Sequence, residues 1–424
     1  MPRRTRTRSL RRASKAALLT ATALALVGTG ATVPASATRP PSHHTTQDRD
    51  LRRALDTALA KATADAPGQG VQAVLLRHGR IVWSAHRGEA VNNVHPAIRV
   101  DDDTMFNLGS LGKLLLGTFA LHEVEKGELA LDKPLSTYVG DTVAGSRKVT
   151  LRMLLSQTSG YGNVYADPAV VPLFPPGTEG APAGTAPNRY RPNVPFTFQQ
   201  LNAGIHNPKS PGARYEYQDT NFIVLLQVLV KRLGGENAVK RQIARFYAAA
   251  GSVAPQTGRR LTQDRYAPHT LRHFAHGYHP LADGLGVQDY NTAYGATGVP
   301  TDSFGFPFGD GSFAGTALGA AQALDALFAR GTLLRKPTVD EMVRPTAQAR
   351  AADATYGLAT ERTVVDGVTW QGHPGSFGGF TSTSYTDRRH GTTLVVLTNR
   401  DRPSPTVSEK IWTSLAKAYG ADLT

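Results

Sequence analysis

The 424-residue chain has no cysteine. That removes disulfides, thiolate metal ligands and a thiol nucleophile together, so the folded protein must be stabilised by its core. Long apolar runs are also missing. Residues 16–27 form one short run, too short to span a bilayer as a mature helix, and no later segment is long and apolar enough to do so. No arginine-rich block is interleaved with aromatics, which gives nucleic-acid binding no support. No repeat of fixed period is present. Glycine-rich residues 305–315 carry no phosphate-loop lysine and read as a loop, so no cofactor is assigned.

Metal chemistry lacks its pattern too. His122-Glu123-Val124-Glu125-Lys126 fails the H-E-x-x-H spacing, and the crowded His269, His273, His276 and His279 do not supply it. No metal ligand is assigned.

The formal charge of +14 is partly an export feature. Arg3, Arg4, Arg6, Arg8, Arg11, Arg12 and Lys15 precede the apolar run, and Val33-Pro34-Ala35-Ser36-Ala37 has the small-x-small form of a signal-peptidase site. Residues 1–37 are therefore expected to be a signal peptide, with a retained N-terminal anchor as the alternative. Ala13-Ser14 after Arg11-Arg12 leaves Sec and twin-arginine export both open. The mature chain would carry about +7, ordinary for a solvated surface though compatible with anionic cell-wall polymers. It is expected to be secreted, extracellular or cell-wall associated, with no stable membrane span.

Residues 38–50 are polar and proline-containing and read as a flexible leader. Residues 51–424 are long enough for one large domain. Leu51, Leu55, Ala58, Leu59 and Ala62 predict a first helix, and residues 71–76 and 81–84 predict strands joined by a glycine-containing hairpin. Residues 111–125 predict a buried helix stopped at Lys126-Gly127. Further helices are expected over 222–233, 317–329 and 407–419, and strands over 364–370, 380–385 and 394–398. Residues 161–211, rich in proline, glycine and asparagine, read as an excursion able to wall a cleft. Strands gather at both ends of the chain. The expected fold class is α/β of the α+β kind: an antiparallel sheet built from the N- and C-terminal segments and flanked by helices, with a mostly helical insertion over roughly 128–345.

Three short patterns carry chemistry. Ser110-Leu111-Gly112-Lys113 is an S-x-x-K tetrad opening a helix, and a spacing of three stacks both side chains on one face. Taken alone, Ser110 reads equally well as a helix cap. Tyr217-Gln218-Asp219 lies at a loop-to-helix junction, where a hydroxyl can face a cleft or a tyrosine can be half-buried structure. His373-Pro374-Gly375 leads into Ser376-Phe377-Gly378-Gly379, where missing side chains let a strand approach a ligand closely. No serine is framed as G-x-S-x-G, which argues against the α/β-hydrolase fold but not against ester cleavage.

In that order the three patterns resemble the serine β-lactamase and D-alanyl-D-alanine carboxypeptidase superfamily, specifically its class C β-lactamase-like branch with D-aminopeptidases and related esterases. Further matching stretches are Asp103-Thr104-Met105-Phe106, Gly127 to Asp132, Val149 to Gly160 and Leu397-Thr398-Asn399. The resemblance runs from about residue 51 to residue 420. It implies a β-lactamase/transpeptidase-like fold, Ser110 as an acylated nucleophile, Lys113 as its proton-transfer partner and Tyr217 as general base or acid. His373 would take the third motif's polar position, with Gly375 beside it, and the amides of Ser110 and Ser376 would form the oxyanion hole. Each such donor is worth on the order of 3 kcal/mol in acyl-transfer sites.

The expected substrates are D-amino-acid peptides, cell-wall peptides among them, β-lactams or small esters. The rival expectation is a catalytically silent penicillin- or peptidoglycan-binding sensor. Three departures matter. Asp219 replaces the usual Asn and would hold Lys113 protonated. Gln157 stands where relatives often have histidine and reads as structural. Pro374 replaces a hydroxyl residue that binds substrate carboxylates, which favours esterase or amidase over carboxypeptidase or β-lactamase chemistry. Oligomeric state is not legible.

Overall fold

Val71–Arg77 (β1) and Arg80–Arg87 (β2) pair through His78-Gly79, whose φ angles of 49° and 77° make the left-handed two-residue turn that matches strand twist. The computed structural model describes residues 46–65, 68–92, 94–174, 196–251, 261–262, 273–280, 287–289, 309–311, 313–401 and 406–423. The expected signal peptide lies outside them. The first helix, α1 (Thr46–Ala62), takes in the end of the expected leader, because it opens at Thr46 ahead of Leu51.

The C-terminal half supplies four more strands: β3 (Glu361–Val365), β4 (Val368–Phe377), β5 (Phe380–Asp387) and β6 (Thr392–Thr398). They join the first two in one antiparallel sheet of order β3-β4-β5-β6-β1-β2. The expected single strand over 364–370 is in fact a hairpin. Asp366-Gly367, at φ 47° and 79°, turns the chain in its middle, and Asp tolerates that conformation better than most residues.

Side-chain alternation divides the sheet's two faces. Ala73, Leu75, Leu394 and Val396 face one cluster with Leu51, Leu55 and Leu59 of α1 and Ile411, Trp412, Leu415 and Tyr419 of the last helix, Val407–Asp422. Val74, Leu76, Val395 and Leu397 face the second, larger cluster, which holds the middle of the chain. Both faces are covered, so β1 and β6 are apolar at nearly every position.

The expected helix at 111–125 forms as α2 (Leu111–Glu125) and is buried on most of its surface. Beside it run α3 (Leu151–Leu155), α4 (Thr220–Leu233) and α5 (Glu236–Ala249). The expected helix over 317–329 is α-helical only for Ala317–Leu324 and widens into a π-helical turn at Asp325–Ala329. There buried Asp325 receives the Gly79 amide at 3.0 Å and pairs with Arg330 at 2.5 Å, tying the first hairpin to the helical layer. In the expected excursion, residues 175–195 lie outside the described ones, whereas Val164, Val170, Phe174 and Leu201 pack into the larger core. The mixed α/β fold with its terminal-segment sheet agrees with the reading from sequence. Among the described residues no helix is long and apolar enough to cross a membrane.

Candidate active site

The β3–β4 ladder ends at Gly372, and beyond it β4 meets the start of α2. Two glycines make that approach close. A Cβ on Gly375 would fall 2.2 Å from the Leu108 carbonyl and 2.8 Å from the Ser110 nitrogen, and one on Gly109, at φ +52°, would fall 2.7 Å from the Ser376 nitrogen. The amides of Ser110 and Ser376 are thereby neighbours across a seam that has no room for a side chain. Asn107 accepts the Gly109 N–H at 2.6 Å, and the Ser382 hydroxyl donates to Leu108 at 2.8 Å, so the turn before Ser110 is pinned from both sides.

Ser110 precedes α2 with helical backbone angles and makes no side-chain cap bond. Its hydroxyl serves another partner: the Lys113 ammonium donates to Ser110 Oγ at 2.8 Å. One helical turn places the pair together, and the unpaired amides of a helix start favour negative charge at that point. Lys113 has no exposed surface, and its Nζ also lies 2.6 Å from Asp219 Oδ1 and 5.0 Å from the Tyr217 ring centroid. A buried ammonium needs such a partner, because taking a charge out of water is costly unless it is paired.

Tyr217 is held by its neighbours in sequence. Gln157 accepts the Glu216 N–H on its carbonyl at 2.8 Å and the Gln218 N–H on Oε1 at 3.0 Å, clamping Tyr217 on both sides. Gln157 itself sits at φ 60° and takes a further bond from Asn221 at 2.5 Å. The Tyr217 phenol is pushed well above its ordinary pKa, first by loss of water around it and then by the Asp219 charge, while the nearby Ser110 hydroxyl pulls it down. Asp219 occupies the cap position of α4, yet its carboxylate turns to Lys113 and makes no cap bond.

His373 comes to the same place from β4, but it lies behind the cleft with 1% of its surface exposed. Its Nδ1–H donates to the Pro374 carbonyl at 2.5 Å, Tyr356 stands 3.4 Å from Nε2, and the Tyr217 ring is 6.0 Å away. Burial pushes its pKa down to about 3, with Lys113 acting in the same direction, so it is a neutral brace for the two tyrosines. Ser110, Lys113, Tyr217, Asp219, His373, Gly375 and Ser376 are all brought together.

Three participants were not legible in the sequence. Tyr356 packs edge-on against Tyr217 at 5.9 Å. Glu361 of β3 adds negative charge near Tyr217 and Tyr215. Asp310 lies beside Lys113, in the glycine-rich stretch read as a loop; its one signal was an acid between two glycines. Elsewhere, His276 pairs with Asp289 and His279 with Asp401, each at 2.8 Å, so these two histidines have separate partners, while His269 lies outside the described residues. Among the described residues no group of three or more metal-ligating side chains converges.

A family model described as Beta-lactamase matches residues 55–418, and the chain belongs to that family. Esterase EstB of Burkholderia gladioli is 32% identical over 117 residues, a match spanning 26% of this chain and 29% of that relative. A D-stereospecific amidohydrolase from Streptomyces sp. superposes with TM-score 0.64 at 24% identity, over 85% of this chain and 97% of its own. The D-amino acid amidase of Ochrobactrum anthropi SV3 gives TM-score 0.68 at 19% identity, over 88% of this chain and 100% of its own. The fold is that of the serine β-lactamase and penicillin-binding protein superfamily, whose members among these neighbours include amidases and esterases.

Proposed function

We propose that the chain is an exported serine hydrolase that forms an acyl-enzyme on Ser110. The observation that carries this is the 2.8 Å contact between Lys113 Nζ and Ser110 Oγ in a site where Ser110 is not spent as a helix cap. In the state of the Tyr217–Lys113 pair that lacks one proton, Ser110 Oγ attacks a carbonyl carbon and its proton fills that vacancy on the pair. The tetrahedral oxyanion rests on the amides of Ser110 and Ser376. Collapse breaks the bond to the leaving amine or alcohol, which takes the proton, and water later frees the acyl group by the same route.

Among D-amino-acid peptides, β-lactams and small esters, the charges favour esters and amides without a free carboxylate. Lys113 is already committed to Asp219, Pro374 offers no donor side chain, and Asp219, Glu361 and Asp310 make the surroundings of Tyr217 acidic. The polybasic, then apolar, start of the sequence supports export, and wall peptides remain within the substrate range.

Intact-mass measurement after incubation with a fluorophosphonate, and then with a penicillin, tests the reading together with p-nitrophenyl acetate turnover. The expected outcome is a fluorophosphonate adduct on Ser110, absent in Ser110→Ala, with turnover by the wild type alone. No adduct and no turnover would leave the silent binding protein in its place.

A further inference from the structure

Gly309 and Asp310 are wedged into the seam between the two helices that carry the site. A Cβ on Gly309 would fall 2.2 Å from the Phe222 carbonyl of α4 and 3.0 Å from Leu116 of α2, so only backbone fits there. The next residue, Asp310, is 5% exposed. Its carbonyl lies 3.5 Å from Lys113 Nζ, and its carboxylate accepts the Tyr165 hydroxyl at 2.9 and 3.1 Å on its two oxygens. A buried acid restrained by a buried-side phenol, one residue from the catalytic seam, has no part in the acylation chemistry described above.

We propose that Asp310 is a positioning residue of acylation: a second carboxylate that, with Asp219, sets how readily the Lys113–Tyr217 pair accepts the Ser110 proton, with Tyr165 holding it in place. This rests on the serine-hydrolase reading. Asp219 pairs with Lys113 directly, and the Asp310 carboxylate, whose own carbonyl lies 3.5 Å from Lys113 Nζ, adds a second negative charge to the same largely buried region; such a cluster takes up a proton more readily than an isolated carboxylate does. While Asp310 is ionised, its charge opposes proton loss from Tyr217. Neutralising Asp310 lowers the proton affinity of that phenol.

The surrounding groups agree on the direction. From α2 comes Lys113; from the segment before α4 come Tyr217 and Asp219; from the loop before residue 167 comes Tyr165; from β4 comes neutral His373, behind Tyr217. Burial pushes the Asp310 carboxyl up to about 7, and the Asp219 charge adds to this, while Lys113 and the Tyr165 hydroxyl pull it down. Its charge thus changes inside the pH range scanned below.

The test is the pH profile of kcat/KM for p-nitrophenyl acetate between about pH 5 and 9 in wild type, Asp310→Asn and Tyr165→Phe. Asp310→Asn is expected to move the rising limb down by about one pH unit, which reads as roughly a tenfold gain at a pH on that limb relative to the variant's own plateau. Tyr165→Phe removes a bond that favours the carboxylate, so it moves the limb the same way by less. Asp310→Glu restores the wild-type limb. A limb that stays in place in both Asp310→Asn and Tyr165→Phe overturns the proposal, even if both variants lose activity uniformly, since a purely structural role lowers the whole profile without shifting it. If Asp310→Asn does not fold, Tyr165→Phe decides by the same readout. A wild type without a fluorophosphonate adduct would end the hydrolase reading and this proposal with it, whereas an active wild type with unmoved limbs ends only this one.

Discussion

Lys113 Nζ lies 2.6 Å from Asp219 Oδ1 while donating to Ser110 Oγ at 2.8 Å, so a single buried ammonium joins the Ser110 hydroxyl to a carboxylate. The ammonium end has no exposed surface and Asp219 keeps 32% of its own, which makes the pair a bridge from the interior to the cleft. Asp219→Asn keeps an oxygen for Lys113 and removes the charge. Ester hydrolysis is expected to stay within about tenfold of wild type, with donors that carry a carboxylate gaining relative to neutral ones as like-charge repulsion falls. Comparing kcat/KM for p-nitrophenyl acetate and a D-alanyl dipeptide in both proteins checks this. An inert wild type beside an active variant would mean that Asp219 suppresses activity instead of tuning its range.

Gln157 acts on Tyr217 only through the backbone on either side of it. Gln157→Ala strands the Gln218 N–H and the Asn221 amide, each costing about 1–3 kcal/mol when buried and unpaired. It also frees Tyr217 to shift relative to Ser110, and a misplacement of that kind lowers kcat by on the order of 100-fold. Steady-state kinetics should show the loss in kcat with KM little changed. A variant that raised KM alone would place Gln157 in substrate binding instead.

His373 gives the fold a pH dependence whose sign follows from its burial. In the folded chain its pKa is pushed down to about 3, while the unfolded side chain titrates near 6.5. Below pH 6.5 the unfolded chain takes up a proton that the folded chain refuses, so this residue's contribution is complete above that pH and is lost as pH falls toward 3. Urea unfolding at pH 7 and pH 4.5 should show wild type losing about 2–3 kcal/mol more than His373→Gln does. Equal losses in the two proteins would show that the imidazole is charged in the folded state.

What could be read directly was whatever lies within a few residues. The period-four spacing of Leu51, Leu55 and Leu59, the three-residue step from Ser110 to Lys113, and the turn at His78-Gly79 are local, and the structure keeps each of them. The strand expected over 364–370 was misread because a two-residue turn interrupts β-forming residues without breaking their composition. Asp366-Gly367 is visible as a turn once β4 is seen to pair back on β3.

By itself the sequence determined the alternation that buries both faces of the central strands, the helix that sets Lys113 on Ser110, and the order of the three motifs that points to a serine acyl-transfer site. Tertiary structure alone decided the electrostatics of that site. Gln157 reaches Tyr217 across sixty residues of chain and Asp310 reaches Lys113 across nearly two hundred. Periodicity carries no information at such separations, because the packing of α2, α4 and β4 sets which distant side chains share one desolvated space. Ser110 and Lys113 were therefore legible as a pair, with Asp219 as the charge beside them, whereas Asp310 became visible only when the helices closed around it.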